Sequence, residues 1–313
     1  MNKLLIISLL ALGYQSASAQ LVSESFGSEA NQFTMDFVTI GNPSNTADIT
    51  GFGSVAYIYN LGKYEVSRDM ITKASAAGGL GITIADMSSY GIYGGNEVNR
   101  PATGITWNEA ARFVNYLNTS RGYQAAYNFT TSGANDNITL WGAGQYNGSN
   151  QFRHKDAYYF LPSVDEWYKA AYGNLNGAWN NFPTGSNSAP TAVASGTAAN
   201  TAVYAQSSYI APTDITSAGG LSPYGTMGQG GNVWEWSENA IDLSNDDAAE
   251  NRELRGGAWD FPSYYLNAAT SRNTYFPTDE KEFNGFRVAS VPEPSSLSLL
   301  ALGGVVVALR RRR

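Results

Sequence analysis

The stretch Gly231-Asn232-Val233-Trp234-Glu235-Trp236 carries the tightest constraints in this 313-residue sequence. A Gly-Asn-x-x-Glu turn brings an amide oxygen, a carboxylate and backbone carbonyls together within a few residues, the hard-oxygen set that calcium prefers. The same residues also describe a packed turn in which Trp234 and Trp236 enter the core and Asn232 satisfies backbone groups. Either way the segment belongs inside a folded body.

Upstream, Thr106-Trp107-Asn108-Glu109 and Ser163-Val164-Asp165-Glu166 each place a glutamate three residues after a hydroxyl, so that each side chain satisfies a free backbone donor of the other. Each pattern predicts a helix start. Trp107, Ala110, Ala111, Val114 and Leu117 then share one face at helical spacing, as do Val164, Trp167, Tyr168 and Ala171. Apolar alternation at the start of Phe33–Ile40 and at Val55, Tyr57, Tyr59 and Leu61 predicts two strands joined by a loop rich in Gly, Asn and Pro. Thr130–Gln151 and Gly177–Gly220 lack periodicity. Loops of that length inside a compact domain are functional or need something, such as a bound ion, to hold them. No internal repeat appears, and no linker divides the body.

The chain has no cysteine, and His154 is its one histidine. That excludes a thiol nucleophile, a disulfide framework and thiolate or His-rich metal centres. No G-x-S-x-G turn supplies a serine nucleophile. What remains is oxygen chemistry: carboxylates, amides, hydroxyls and carbonyls. Asp165-Glu166, Asp246-Asp247 and Asp279-Glu280-Lys281-Glu282 are acidic pairs or runs that a glycosidase would recruit. Sequence neighbours rarely face each other at the required separation, so these read as solvated charge, with Asp165-Glu166 explained by capping. His154, in Arg153-His154-Lys155-Asp156, reads as a surface residue. The 20 Tyr and 7 Trp are expected mostly in the core, with some left for a platform on which sugar rings stack.

Both ends read as signals. Lys3, the apolar run to Leu12 and Ala17-Ser18-Ala19 describe a secretory signal peptide over residues 1–19. At the other end Pro292-Glu293-Pro294, an apolar run from Leu297 to Leu309 and Arg310 to Arg313 resemble the tripartite PEP-CTERM sorting signal (residues 292–313) of bacteria that export proteins into an extracellular polymer matrix. The resemblance implies an exosortase as partner and transient membrane anchoring through residues 295–309. Thirteen residues are fewer than the roughly 20 a membrane helix needs, although the arginines fit the cytoplasmic side of a membrane stop. Removing both signals leaves residues 20–291. It also takes Lys3 and four arginines from 19 basic residues and Glu293 from 26 acidic ones, leaving 14 against 25, a net of −11. Such a body argues against nucleic acid as a partner.

Six segments in order resemble the formylglycine-generating enzyme / sulfatase-modifying-factor domain family: Gly62-Lys63-Tyr64-Glu65-Val66-Ser67, Arg100-Pro101-Ala102-Thr103-Gly104-Ile105-Thr106-Trp107, Leu161-Pro162-Ser163-Val164-Asp165-Glu166-Trp167, Gly231 to Trp236, Arg255-Gly256-Gly257-Ala258-Trp259 and Gly285-Phe286-Arg287. The resemblance implies an α+β fold: a single C-type-lectin-like domain with a small twisted antiparallel sheet, few helices and much irregular chain. The family's oxidases convert a substrate cysteine to formylglycine with a copper-binding cysteine pair. The matching positions here are Phe261 and Leu266, and the motif serine is Ala258, so copper, which wants soft sulfur, is not expected. A related branch uses iron held by histidines, and one histidine cannot build that site. The family's calcium site would take side-chain oxygens from Asn232 and Glu235 and carbonyls from Gly230, Gly231 and Val233. A second would use Asn200 and the carbonyl of Thr201, without the aspartate that follows in the family. The expected function is a secreted or surface-associated, non-catalytic binding or structural protein of the extracellular polymer matrix, calcium-stabilised and in contact with exopolysaccharide or another matrix component. The alternative is a divergent formylglycine-generating oxidoreductase acting on protein cysteine.

Overall fold

Along Phe33–Ile40 the side chains of Phe33, Met35 and Phe37 turn inward while Thr34 faces solvent, which makes the segment a strand with one buried face. The computed structural model describes residues 20–90, 95–130 and 136–292. The signal peptide and residues 293–313 of the sorting signal lie outside the described residues. Strand β1 (Leu21–Phe26) pairs antiparallel with β2 (Phe33–Ile40) from Leu21↔Val38 to Phe26↔Phe33. The sheet continues through β3 (Tyr59–Gly62) to β11 (Ala289–Ser290) and β4 (Tyr159–Phe160), in the order β1-β2-β3-β11-β4, antiparallel throughout. The last described strand thus lies between two earlier ones and closes the fold on itself.

Three helices pack around this sheet: α1 (Arg68–Gly78), α2 (Trp107–Ser120) and α3 (Val164–Tyr172). Both expected capping boxes form. Thr106 Oγ1 accepts from Glu109 N at 3.0 Å while a Glu109 carboxylate oxygen accepts from Thr106 N at 2.9 Å, and Ser163 and Glu166 repeat the exchange. Every residue of both expected apolar stripes is buried, each large side chain contributing about 1.5–3 kcal/mol. The start of α1 is less legible, because Met70 Sδ occupies the place that a Glu or Gln takes in the usual box. The strand expected around Val55–Leu61 is shorter than its alternation suggests. Only Tyr59–Gly62 pairs, and Tyr57 is half exposed with its hydroxyl donating to Glu166.

A second sheet, ordered β10-β7-β8-β9, consists of β7 (Trp234–Ala240), β8 (Arg252–Arg255), β9 (Asn273–Tyr275) and β10 (Asn284–Phe286). Its β7–β10 pair is parallel. A further parallel pair, β5 (Thr191–Ala192) with β6 (Thr201–Ala202), is only two residues long. The indoles of Trp107 and Trp236 stitch α2 to β7 by donating to the carbonyls of Ser237 at 2.9 Å and Ile105 at 2.8 Å. The outcome is α+β, with small sheets, few helices and long irregular connections. Among the described residues no helix is long and apolar enough to cross a membrane.

Candidate functional site

The turn ahead of β7 is fixed from both sides. Gly231 has φ +88°, and a Cβ there would lie 2.1 Å from the Val203 carbonyl oxygen, so only glycine fits. Asn232 follows at φ +61°, a left-handed conformation that asparagine tolerates. Its N–H donates to Val203 O at 2.8 Å and its carbonyl accepts from Trp259 N at 3.1 Å. Its side chain is equally committed, with Oδ1 accepting from Thr213 N at 2.8 Å and Nδ2 donating to Glu65 Oε1 at 2.9 Å.

Glu235, one strand residue further in, is held by a guanidinium. Arg287 donates from Nε to Glu235 Oε2 and from Nη2 to Oε1, both at 2.5 Å, and Trp167 Nε1 adds a third bond at 2.6 Å. The remaining Arg287 donors reach the carbonyls of Gly62 at 2.8 Å and Met227 at 2.9 Å. Both charges are fully buried. The six sequence segments therefore converge here: Gly62 and Glu65, Trp167, Asn232 and Glu235, Trp259 and Arg287 meet directly, and Ile105 joins through Trp236. A third carboxyl stands close by, and burial, with help from the nearby Glu235 and against the pull of Arg287, pushes Glu65 up to about 7.

These side chains do not fit calcium. A cation at Glu235 would have to displace, or sit against, a bidentate guanidinium, and the only side-chain oxygen of Asn232 already accepts from a backbone N–H. Of the two sequence readings of the turn, the packed one describes what these side chains do. The second expected site fits no better. Asn200 is exposed with Oδ1 accepting from Thr184 Oγ1 at 2.9 Å, and the Thr201 carbonyl accepts from Gly220 N at 2.8 Å. Among the described residues no three His, Cys, Asp or Glu side chains are grouped so as to hold a metal ion.

The positions matching the oxidases' cysteines are filled with hydrocarbon. Phe261 packs edge-on against Trp234 at 5.7 Å and against Tyr265 and Phe283, each at 5.4 Å. Leu266 and Ala258 are wholly buried. Glu166, whose capping role is as expected, is also buried with Glu238 around Arg153, at 3.8 and 3.2 Å. Burial raises the Glu238 carboxyl above its ordinary range, and Tyr127 donates to it at 2.8 Å. His154, expected at the surface, is only partly exposed, in the wall of a cleft. Its side chain is 11% exposed and meets the Trp141 ring edge-on at 4.7 Å.

Two concave surfaces remain that sequence reading did not locate. One cleft of about 390 Å³ is lined by Tyr57, Arg153, His154, Lys155 and Phe160. The other, about 410 Å³, is lined by Arg112, Tyr116, Phe129 and Trp141. Both draw on the connection between α2 and β4, which contains the aperiodic stretch Thr130–Gln151. That irregularity was the available signal, but nothing in a single sequence says which aromatics it leaves at a surface.

A sulfatase-modifying factor enzyme 1-like domain matches residues 32–291. The chain belongs to that family. A PEP-CTERM protein-sorting motif matches residues 290–313 of this sulfatase-modifying-factor-like protein. It marks the protein for export to the cell surface and for processing by an exosortase. No curated protein sequence matches the chain. Among solved structures it is similar to the Treponema denticola variable protein 1, with 19% identity, a TM-score of 0.59 and coverage of 87% of this chain and 99% of that one. It is also similar to CarF, with 18% identity, a TM-score of 0.56 and coverage of 83% and 99%. PvdO from Pseudomonas aeruginosa gives 15%, 0.53, 86% and 98%. These likenesses show the C-type-lectin-like fold.

Proposed function

We propose that this sulfatase-modifying-factor-like protein is a non-catalytic binding or structural component of the extracellular polymer matrix, delivered there through its C-terminal signal. The observation that carries the reading is the packing of Phe261 among aromatic rings and the burial of Leu266, which put hydrocarbon where the family's oxidases keep their thiols. Neither position supplies a sulfur for copper, and the sequence contains no cysteine that could take its place. The sorting motif supplies the destination.

The reading is tested with the exported protein in two assays. Retention on matrix isolated from a strain lacking this protein is expected, and loss of retention overturns the matrix role. Incubation with copper and a cysteine-containing sulfatase-type peptide is expected to leave the peptide unchanged. Turnover there would establish the oxidoreductase instead.

A further inference from the structure

The two clefts stand back to back. Trp141 lines one and His154 the other, and the two rings meet edge-on at 4.7 Å, so this ring pair forms a wall with a concavity on each side. Their chemistry departs from that of the protein as a whole. In a chain with 26 acidic against 19 basic residues, neither lining contains a carboxylate, while together they contain Arg112, Arg153, His154 and Lys155. By contrast a third cleft, near Gly104, is lined by Glu280 and Glu282.

We propose that this double cleft binds an acidic polysaccharide, a polymer of pyranose rings bearing carboxylates. The proposal rests on the matrix reading above and names its ligand class. Partly exposed Tyr116, Phe129 and Trp141 present ring surface to the C–H faces of sugars. Across the wall, Lys155 is exposed and supplies a mobile ammonium. Arg153 is held rigidly in the cleft floor, its guanidinium between Glu238 and Glu166 and stacked 3.9 Å from the Phe160 ring. Carboxylates stand beside both clefts, Asp156 at 3.8 Å from His154 Nδ1 and Asp136 at 4.0 Å from Arg112 Nη2. An acidic body repels a polyanion everywhere except where cations line a concave surface, and there the repulsion elsewhere fixes the register. Each cleft lies within the volume range typical of small-ligand pockets, and two joined by a wall suit a chain of sugars better than a single ring.

The experiment titrates the exported protein with polygalacturonate, with dextran as the neutral counterpart, at about 0.05 and 0.5 M NaCl. Expected is binding to polygalacturonate that high salt weakens about tenfold or more, with little binding to dextran. Phe129→Ala is expected to weaken it about fivefold and Lys155→Glu about tenfold. Lys155→Glu alters an exposed side chain, so its loss of binding with unchanged melting temperature isolates recognition from folding. If wild type binds polygalacturonate and both variants match it, the ligand sits elsewhere and the proposal is overturned. Equal, salt-insensitive binding to dextran overturns the acidic class. Retention on the matrix without binding to polygalacturonate overturns this inference and leaves the matrix role standing, whereas loss of matrix retention strikes the broader reading first.

Discussion

The turn at 228–233 that leads into β7 and the connection between α2 and β4, described over 121–130 and 136–158, are both rich in small and polar residues, yet they use their polar groups in opposite ways. In the turn, Asn232, Glu235 and Arg287 point every available donor and acceptor at the protein itself. In the connection, Asn128 makes no side-chain hydrogen bond among the described residues, and Lys155 faces solvent. The lesson is that irregular backbone in this protein does two jobs. One stretch is a polar keystone that joins six sequence segments. The other is a surface left open to a ligand.

Removing one partner of the keystone is the largest perturbation available. Arg287→Ala leaves Glu235 buried without its counter-charge and takes a donor from the carbonyls of Gly62 and Met227, at a cost of about 3–5 kcal/mol. For a marginally stable domain that is most of the folding free energy. Thermal melting is expected to show a non-cooperative or strongly lowered transition. A melting temperature within a few degrees of wild type would remove the keystone from the comparison.

Glu65→Gln tests the same cluster through pH. The folded-state value of this carboxyl lies near 7 against an ordinary 4.5, so folding favours the neutral form. Its contribution is fully present below about pH 4.5 and is lost as pH rises through 7, a difference of about 3 kcal/mol. The groups facing it are Arg287, Glu235 and Asn232. Glutamine keeps the oxygen that accepts from Asn232 and cannot ionise. The variant is therefore expected to match wild type near pH 5 and to melt several degrees higher near pH 8. A wild-type melting temperature flat between those values would contradict the assignment.

The two regions can also be compared with one chemical change. Asn232→Ala strands the Thr213 N–H and leaves Glu65 without its donor, for about 2–3 kcal/mol. Asn128→Ala, in the cleft, is expected to cost less than about 0.5 kcal/mol. Equal destabilisation, measured by denaturant titration, would mean that the connection is structural rather than open.

How much of this was legible follows the range of the interactions. The capping boxes at Thr106/Glu109 and Ser163/Glu166 are written within four residues, and the structure reproduces them. The α1 start was not legible, because Ser67 is answered by a methionine sulfur. Nor was β1, whose LVSESF buries only Glu24 and Phe26. The segments meeting at the keystone were all visible in sequence, but not that Glu235 belongs to Arg287. The two are 52 residues apart, and nothing local distinguishes a carboxylate awaiting a guanidinium from one awaiting a cation.

That ambiguity yields the smallest expected effect. A cation that binds only the folded state raises stability in proportion to the logarithm of its concentration over its dissociation constant, so calcium at a hundredfold excess over that constant would add about 2.7 kcal/mol. With Glu235 already neutralised and Asn232 Oδ1 already bonded, addition of calcium or of chelator is expected to move the melting temperature by less than about 1 °C. A rise of several degrees with calcium that disappears in Glu235→Gln would show the ion displacing Arg287, and would return the keystone to the family's metal-bound form. A rise that survives Glu235→Gln would place the ion elsewhere and leave the contrast between the turn and the connection intact.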